Sequence, residues 1–207
     1  MATALSLPHG VVFAAALIVL TPACTGMVVG AAATGAVMAL QERGLKGAAE
    51  DTAIRAAINH YWLQRDHEMY LRLSLQVWEG RVLVAGLLPD AEQRAEAIQL
   101  AWKADGVREV INEIEIATGR DIRDAAQDLL TEKEVSARLF VTRDIDSINY
   151  LVKVVDRTVF LIGTALDRDE LDRVIAVIRE VPKVRRIANY VLTRDDPRRF
   201  RAAPATS

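Results

Sequence analysis

The chain has 207 residues, a formal net charge of −2 at pH 7 and a hydrophobic fraction of 51%. A charge so close to zero excludes a general electrostatic attraction to nucleic acid, and the length allows one or two domains. The single cysteine, Cys24, excludes an intramolecular disulfide.

An uninterrupted apolar run, VVFAAALIVL, occupies positions 11–20. As a helix it would rise about 15 Å, roughly half of a bilayer's hydrocarbon core, so it fits the apolar region of a signal peptide. It is followed by Thr21-Pro22-Ala23-Cys24, which resembles a bacterial lipobox, where a peptidase cuts before a cysteine that then carries lipid. We therefore expect a lipoprotein signal peptide at 1–23, lipidation of Cys24 and a Gly/Ala-rich tether at 24–48. Because the apolar tract continues past Cys24, a single N-terminal membrane anchor is an alternative.

The rest of the chain contains an internal repeat. Residues 71–116 match the sequence 77 positions later without a gap, so that Val82-Leu83-Val84 falls on Val159-Phe160-Leu161. The preceding helices align at a shift of 81, which places Ile54 on Val135. This difference predicts four extra residues in a loop of the first copy.

Each copy has the pattern α-β-β-α-β. Helical stripes of apolar residues are followed by strands in which apolar residues alternate with polar ones. The predicted fold is α+β, with two tandem modules, each a small three-stranded mixed sheet with two helices on one face. The other face would then point to water or to a partner. We expect the modules at 49–117 and, including a linker, at 118–193, followed by a basic flexible tail at 194–207.

Two details of the modules can also be predicted. The turn glycine of the first hairpin, Gly80, corresponds to Arg157 in the second copy, which predicts turns of different type. Trp62 and Trp102 fall on the apolar stripes of helices and are expected in the core, whereas the pattern leaves the environment of Trp78 open.

The segments WEGRVLVAG and DGVREVINEI, with VDRTVFLIG and VPKVRRIANYV in the second copy, resemble the BON domain of bacterial envelope proteins. The resemblance covers residues 49–193, and together with the lipobox it is similar to the dual-BON outer-membrane lipoproteins. It implies a protein that binds anionic phospholipid membranes without catalysis and supports outer-membrane integrity. It further implies that binding involves the first helix of the second module, expected at about 128–143.

Apolar side chains on that helix would enter the membrane, and cations would face the lipid headgroups. A basic pair closer to the C-terminus adds a second cationic patch. The expected lipid-binding residues are Leu129, Leu130, Lys133, Arg138, Phe140 and Arg143, with Arg185 and Arg186 in the basic pair. Val141 is a further apolar candidate, whereas Glu132 and Glu134 would repel an anionic surface.

The sequence contains no recognisable catalytic or metal-binding arrangement. His9, His60 and His67 lack a neighbouring cluster of Cys or carboxylate residues, and no glycine-rich phosphate loop follows a strand. We therefore expect no enzymatic activity, no cofactor, no metal and neither nucleic acid nor a small-molecule substrate as partner.

The expected location is the periplasmic face of the outer membrane, because Thr25 is not the Asp that retains lipoproteins at the inner membrane in some bacteria. The alternatives are a soluble periplasmic stress protein and a protein-interaction or assembly module, in which the open sheet faces or edges of the two modules bind each other or another envelope protein.

Overall fold

The structure, a computed structural model, describes residues 37–117 and 122–200. They form two modules with the same order of strands and main helices. The first contains α1 (Gly44–Arg65), α2 (His67–Arg72), β1 (Leu73–Trp78), β2 (Arg81–Leu88), α3 (Ala91–Trp102) and β3 (Glu109–Ile116). The second contains α4 (Ile122–Val141), β4 (Tyr150–Val155), β5 (Thr158–Ala165), α5 (Arg168–Arg179) and β6 (Arg186–Thr193). Short 3-10 turns lie at Ser147–Asn149 and Pro197–Phe200.

The two sheets have the same mixed topology. The middle strand pairs antiparallel with the strand before it and parallel with the strand after it, in the orders β1-β2-β3 and β4-β5-β6. The crossover helices α3 and α5 are capped by Asp90 and Asp167, whose carboxylates accept backbone N–H groups of the first turn. The helices of each module pack on one face of its sheet. The predicted fold class is confirmed.

The faces of the two sheets that carry no helices pack against each other. In β2, Val82 and Val84 face the helices of their own module, whereas Leu83 belongs to a third cluster, called the junction, together with residues of β5 such as Phe160 and Ile162. Successive strand residues point to opposite faces, so both middle strands are buried on both sides. The partner of each predicted open face is therefore the other module.

A buried hydrogen bond crosses the junction. Trp78 is fully buried there, and its Nε1 donates to Thr164 Oγ1 at 2.9 Å. Trp62 is buried in the first module as predicted, with Nε1 donating to Ala97 O at 3.0 Å. The prediction that Trp102 lies in the core is wrong: Trp102 is the last residue of α3, and its side chain is 39% exposed.

Polar groups line the rim of the junction. Arg186 lies 3.4 Å from carboxylate oxygens of both Glu113 and Glu115 in the other module, and Arg81 Nη1 donates to Tyr190 O at 2.7 Å. The Tyr190 hydroxyl donates to Glu113. Burial, reinforced by this carboxylate, raises the pKa of Tyr190 to about 12.

A buried aspartate on the first helix of each module holds the hairpin turn. The Asp51 carboxylate accepts the N–H groups of Glu79 and Gly80, both at 2.8 Å, and Asp128 accepts those of residues 156 and 157 at 2.7 and 3.0 Å. The two aspartates are 77 positions apart, so the helices follow the same shift as the strands. The predicted shift of 81, and with it the four-residue insertion, is wrong.

Both hairpin turns have the same backbone conformation. The central residues have φ of 52° and 72° at Glu79 and Gly80, and of 44° and 59° at Asp156 and Arg157. Positive φ at both central positions defines a type I′ turn, which suits the twist of a two-residue hairpin. The prediction of different turn types is therefore wrong, and Arg157 adopts a conformation for which the first module uses glycine.

Two equivalent glycines allow the chain to pass close over the middle strand. A Cβ at Gly86 would lie 2.3 Å from Arg72 O, and a Cβ at Gly163 would lie 2.1 Å from Asn149 O. Both residues have φ above 150°, in a region that side chains rarely adopt. The repeat of this glycine reflects a repeated steric requirement.

The segment before α1 contacts the second module. Gln41 Nε2 donates to Ile148 O at 2.8 Å, and Glu42 N donates to Asn149 Oδ1 at 2.8 Å. Glu42 also forms an ion pair with Arg194. The residues that lead into α1 are thus held in place by the second module.

The segment after β6 contacts the first module in return. Arg199 Nε and Nη2 donate to the Glu79 carboxylate at 2.9 and 2.5 Å, and Arg108 Nη2 donates to Arg199 O at 2.6 Å. The Arg199 side chain is only 8% exposed. The prediction of a flexible tail is therefore wrong for residues 194–200, while 201–207 lie outside the described residues.

Candidate functional site

Helix α4 is apolar on the side that faces away from its module. Its inner side is formed by Thr131, Val135 and Leu139, which are all buried. The opposite side, called the apolar face, consists of Ala126, Leu129, Leu130, Ala137, Phe140 and Val141; each alanine precedes a pair of large side chains by three and four residues, and the two pairs are eleven residues apart. The four largest side chains are 51% exposed at Leu129, 65% at Leu130, 75% at Phe140 and 76% at Val141.

A helix that covers a core normally presents polar residues to solvent, and contiguous exposed apolar patches on a protein usually mark an interaction site. The first module offers no such face. The positions 77 residues earlier than the four large side chains are Thr52, Ala53, Leu63 and Gln64. The apolar face is therefore a property of the second module and not of the repeated fold.

Cations lie within and beside the apolar face. Lys133 and Arg143 are exposed and form no ion pair with another described residue. Arg138 is engaged by Glu134 at 2.7 Å, and its Nη1 lies 3.5 Å from Glu180 O. Two of the three predicted helix cations are thus available to an anionic ligand.

The two acids expected to repel an anionic surface each form an ion pair with a neighbouring cation. Glu132 turns towards β4, where its carboxylate accepts Val154 N at 3.2 Å and lies 3.1 Å from Lys153 Nζ. Its side chain is 16% exposed. Glu134 is paired with Arg138, so neither carboxylate adds an unpaired charge to the outer side of α4.

The structure does not bring Arg186 to α4. Arg186 lies at the junction, whereas Arg185 lies at the β4–β5 turn, 2.7 Å from Asp156 Oδ2. Two further cations that the sequence patterns did not single out, Arg157 and Lys183, lie at the same end as Arg185. The signal for them is a comparison of the two copies, because both replace glycines of the first module.

The predicted lipidation site Cys24, the signal peptide and most of the tether lie outside the described residues. Across residues 37–117 and 122–200, no three His, Cys, Asp or Glu side chains are grouped to hold a metal ion. None of the helices in these two ranges combines the length and hydropathy required to cross a bilayer.

The BON domain family model matches the chain twice, at residues 50–118 and 127–195. A protein of Anaplasma centrale, described as an uncharacterized protein in the gshII 5' region, is 32% identical over 145 residues, covering 69% of this chain and 93% of that one. The outer membrane lipoprotein DolP of Haemophilus influenzae is 23% identical over 172 residues, covering 81% and 89%. Among solved structures, CdsD of the Chlamydia trachomatis type III secretion system matches with a TM-score of 0.29 and 18% identity, over 69% of this chain and 63% of that one.

Proposed function

Because this chain belongs to the BON domain family and carries the domain twice, we propose that it is a non-enzymatic envelope lipoprotein that binds anionic phospholipid membranes. Binding occurs through the apolar face of α4 in the second module and supports the integrity of the outer membrane. The similarity to a protein named as an outer membrane lipoprotein supports this class and location.

The observation that carries the proposal is the exposure of four large apolar side chains on the outer side of one helix. Full burial of a Leu, Val or Phe side chain contributes about 1.5–3 kcal/mol. Because these side chains are half to three-quarters exposed, a similar fraction of that burial free energy is still to be gained when they insert between lipid headgroups. An interfacial helix of this kind gains further from cations that face anionic lipids.

The predicted lipid on Cys24 would anchor the chain, so that a weak contact of α4 with the same membrane is enough to orient the modules. Each buried methylene of an acyl chain contributes about 0.8 kcal/mol, so a lipidated cysteine holds the chain at the membrane. Contact between α4 and the same membrane is then intramolecular and profits from a high effective concentration. The lipid keeps the protein at the periplasmic face of the outer membrane, and α4 fixes how its modules face the bilayer.

Interaction with another envelope protein through the sheet faces is not favoured, since these faces cover each other at the junction. The apolar face of α4 is the large apolar surface that this packing leaves exposed in the second module.

The proposal can be tested with Phe140→Ser in the folded unit that begins at Gly35. Unlipidated protein is co-sedimented with vesicles of phosphatidylcholine alone or mixed with phosphatidylglycerol. Loss of about 1–2 kcal/mol of insertion energy should weaken binding to the mixed vesicles roughly 5- to 30-fold.

Phe200→Ser is the matched control. Phe200 is 74% exposed, as Phe140 is at 75%, but it lies in the 3-10 turn that packs on the first module. It should bind vesicles like the unmodified protein. Equal binding by all three proteins, or equal loss in both variants, would refute the role of α4.

A further inference from the structure

We propose that Arg157, Lys183 and Arg185 form a binding site for the phosphate groups of lipid headgroups, next to the apolar face of α4. This inference rests on the proposed membrane function and adds to it the part of the surface that distinguishes anionic from neutral lipids. The three residues are called the basic corner.

Hydrogen bonds fix the basic corner to α4. Arg157 N donates to Asp128 Oδ1 at 3.0 Å, and Arg157 O accepts Arg185 N at 2.8 Å. Lys183 Nζ donates to Gln127 Oε1 at 2.6 Å. Residues 127 and 128 belong to the same helical turn as Leu129, so the basic corner lies at the same level along α4 as that end of the apolar face.

Two of these cations occupy strained backbone positions. Arg157 has a φ of 59° and Lys183 a φ of 74°, whereas the equivalent residues of the first module, Gly80 and Gly106, are glycines with φ of 72° and 89°. A side chain with a Cβ is disfavoured in this region, and glycine adopts it freely. Glu79, Asp144 and Asp156 also adopt positive φ, but at the positions of Arg157 and Lys183 the first module has glycine, and this replacement by cations at both sites supports a function for their charge.

Two of the three cations of the basic corner form no ion pair with another described residue. Asp156 pairs with Arg185 at 2.7 Å, and Asp128 is buried and accepts the turn N–H groups. Arg157 is exposed and forms no ion pair with another described residue, and Lys183 contacts only a neutral amide among the described side chains. Among the described residues, the other exposed acids nearby along the chain are Asp124 on α4 and Glu180 after α5.

The first module does not reproduce this arrangement. Its equivalent of Arg185 is Arg108, which is turned inwards to Glu79 O at 3.3 Å and Arg199 O at 2.6 Å. Neither glycine carries a charge, and the other guanidinium at that turn, Arg199, is paired with Glu79. The apolar face and the basic corner therefore occur together, in the same module and at the same helix.

The test is the double variant Arg157→Gly/Lys183→Gly in the unit beginning at Gly35. Each cation near an anionic leaflet contributes roughly a five-fold gain in binding, so affinity for phosphatidylglycerol-containing vesicles should fall on the order of 10- to 30-fold. Binding to pure phosphatidylcholine should not change. The urea midpoint should stay equal or rise, because glycine suits both backbone positions, so that misfolding cannot account for the loss.

Asp144→Gly is the matched control, since Asp144 also has a positive φ, of 60°, but lies after the opposite end of α4. It should not lower the affinity for anionic vesicles, and the exchanged variant Arg157→Lys/Lys183→Arg should retain it. Unchanged preference for anionic vesicles in the double glycine variant would overturn the basic corner alone. Failure of the unmodified unit to bind anionic vesicles would overturn the proposed function and this site together.

Discussion

Replacement of Arg199 by Ala tests whether the segment after β6 is an integral part of the fold. The Arg199 guanidinium makes two hydrogen bonds to the Glu79 carboxylate and a third to Arg194 O at 2.7 Å. The side chains of the ion pair are 8% and 15% exposed. Removing the cation therefore leaves a carboxylate that is largely buried and without its partner.

Loss of one member of a buried ion pair typically destabilises a protein by about 3–5 kcal/mol. Because water can reach the slightly exposed Glu79, we expect a loss of about 2–4 kcal/mol in the free energy of unfolding. This is a large share of the roughly 5–15 kcal/mol that stabilises an ordinary domain. Urea denaturation followed by tryptophan fluorescence measures the loss, since Trp78 lies in the junction.

Arg198→Ala is the control, with the same substitution one residue earlier. Arg198 pairs with Asp196 at 2.7 Å, but its side chain is 59% exposed, so its loss should amount to about 0–1 kcal/mol. Adding Glu79→Gln to Arg199→Ala should recover part of the stability, because no buried charge then remains. Equal urea midpoints for the two single variants would refute this account of the C-terminal segment.

Three further outcomes follow from the fold. In urea denaturation, Gly163→Ala should lower the free energy of unfolding by at least about 3 kcal/mol, because the new Cβ would lie 2.1 Å from a backbone carbonyl oxygen. Gly44→Ala is the control: a Cβ at Gly44 has no atom within 4 Å, so the loss should be only about 1 kcal/mol. Thr164→Val leaves the buried Trp78 N–H without an acceptor and should lower stability by about 1–3 kcal/mol, and a neutral result would contradict the hydrogen bond. The raised pKa of Tyr190, about 12, means that its contribution to stability is complete below pH 10 and is lost as the pH rises towards 12. Absorbance titration of tyrosinate should lose a late component in Tyr190→Phe.

The fold of each module could be predicted because its signals are local and occur twice. The alternating apolar residues of β1, the capping Asp90 and Asp167, and the glycine at 86 and again at 163 depend on contacts within one module. The helix shift of 81 was wrong because it aligned apolar residues one turn apart. The buried Asp51, which holds a turn, marks the correct register.

The junction could not be predicted in the same way. Leu83 and Ile162 belong to strands buried on both faces, and a strand pattern does not specify what covers the second face. Trp102 lies on a helical stripe, but it is the last residue of α3, and there the stripe no longer faces the core.

The site was predicted in part. Leu129 and Phe140 were expected at the surface of α4, and the structure places them there. The neutralisation of Glu132 by Lys153 and the use of Arg186 at the junction depend on tertiary contacts that the sequence does not encode locally. The sequence shows that Arg157 replaces Gly80, but not that the two residues share a positive φ, and this angle is what draws attention to its charge.

The junction also determines when, during synthesis, the apolar faces of the two sheets become buried and can no longer cause aggregation. Trp78 and its partner Thr164 are separated by 86 positions, which a ribosome covers in roughly 4–17 s at usual elongation rates. All residues of the first sheet have been made once Ile116 is added, and for the rest of this interval its junction face remains uncovered. A chain released between the two modules would expose that apolar face and could associate with other chains. A chain released after Phe200 would have both faces covered and its closing ion pair, Glu79 with Arg199, in place.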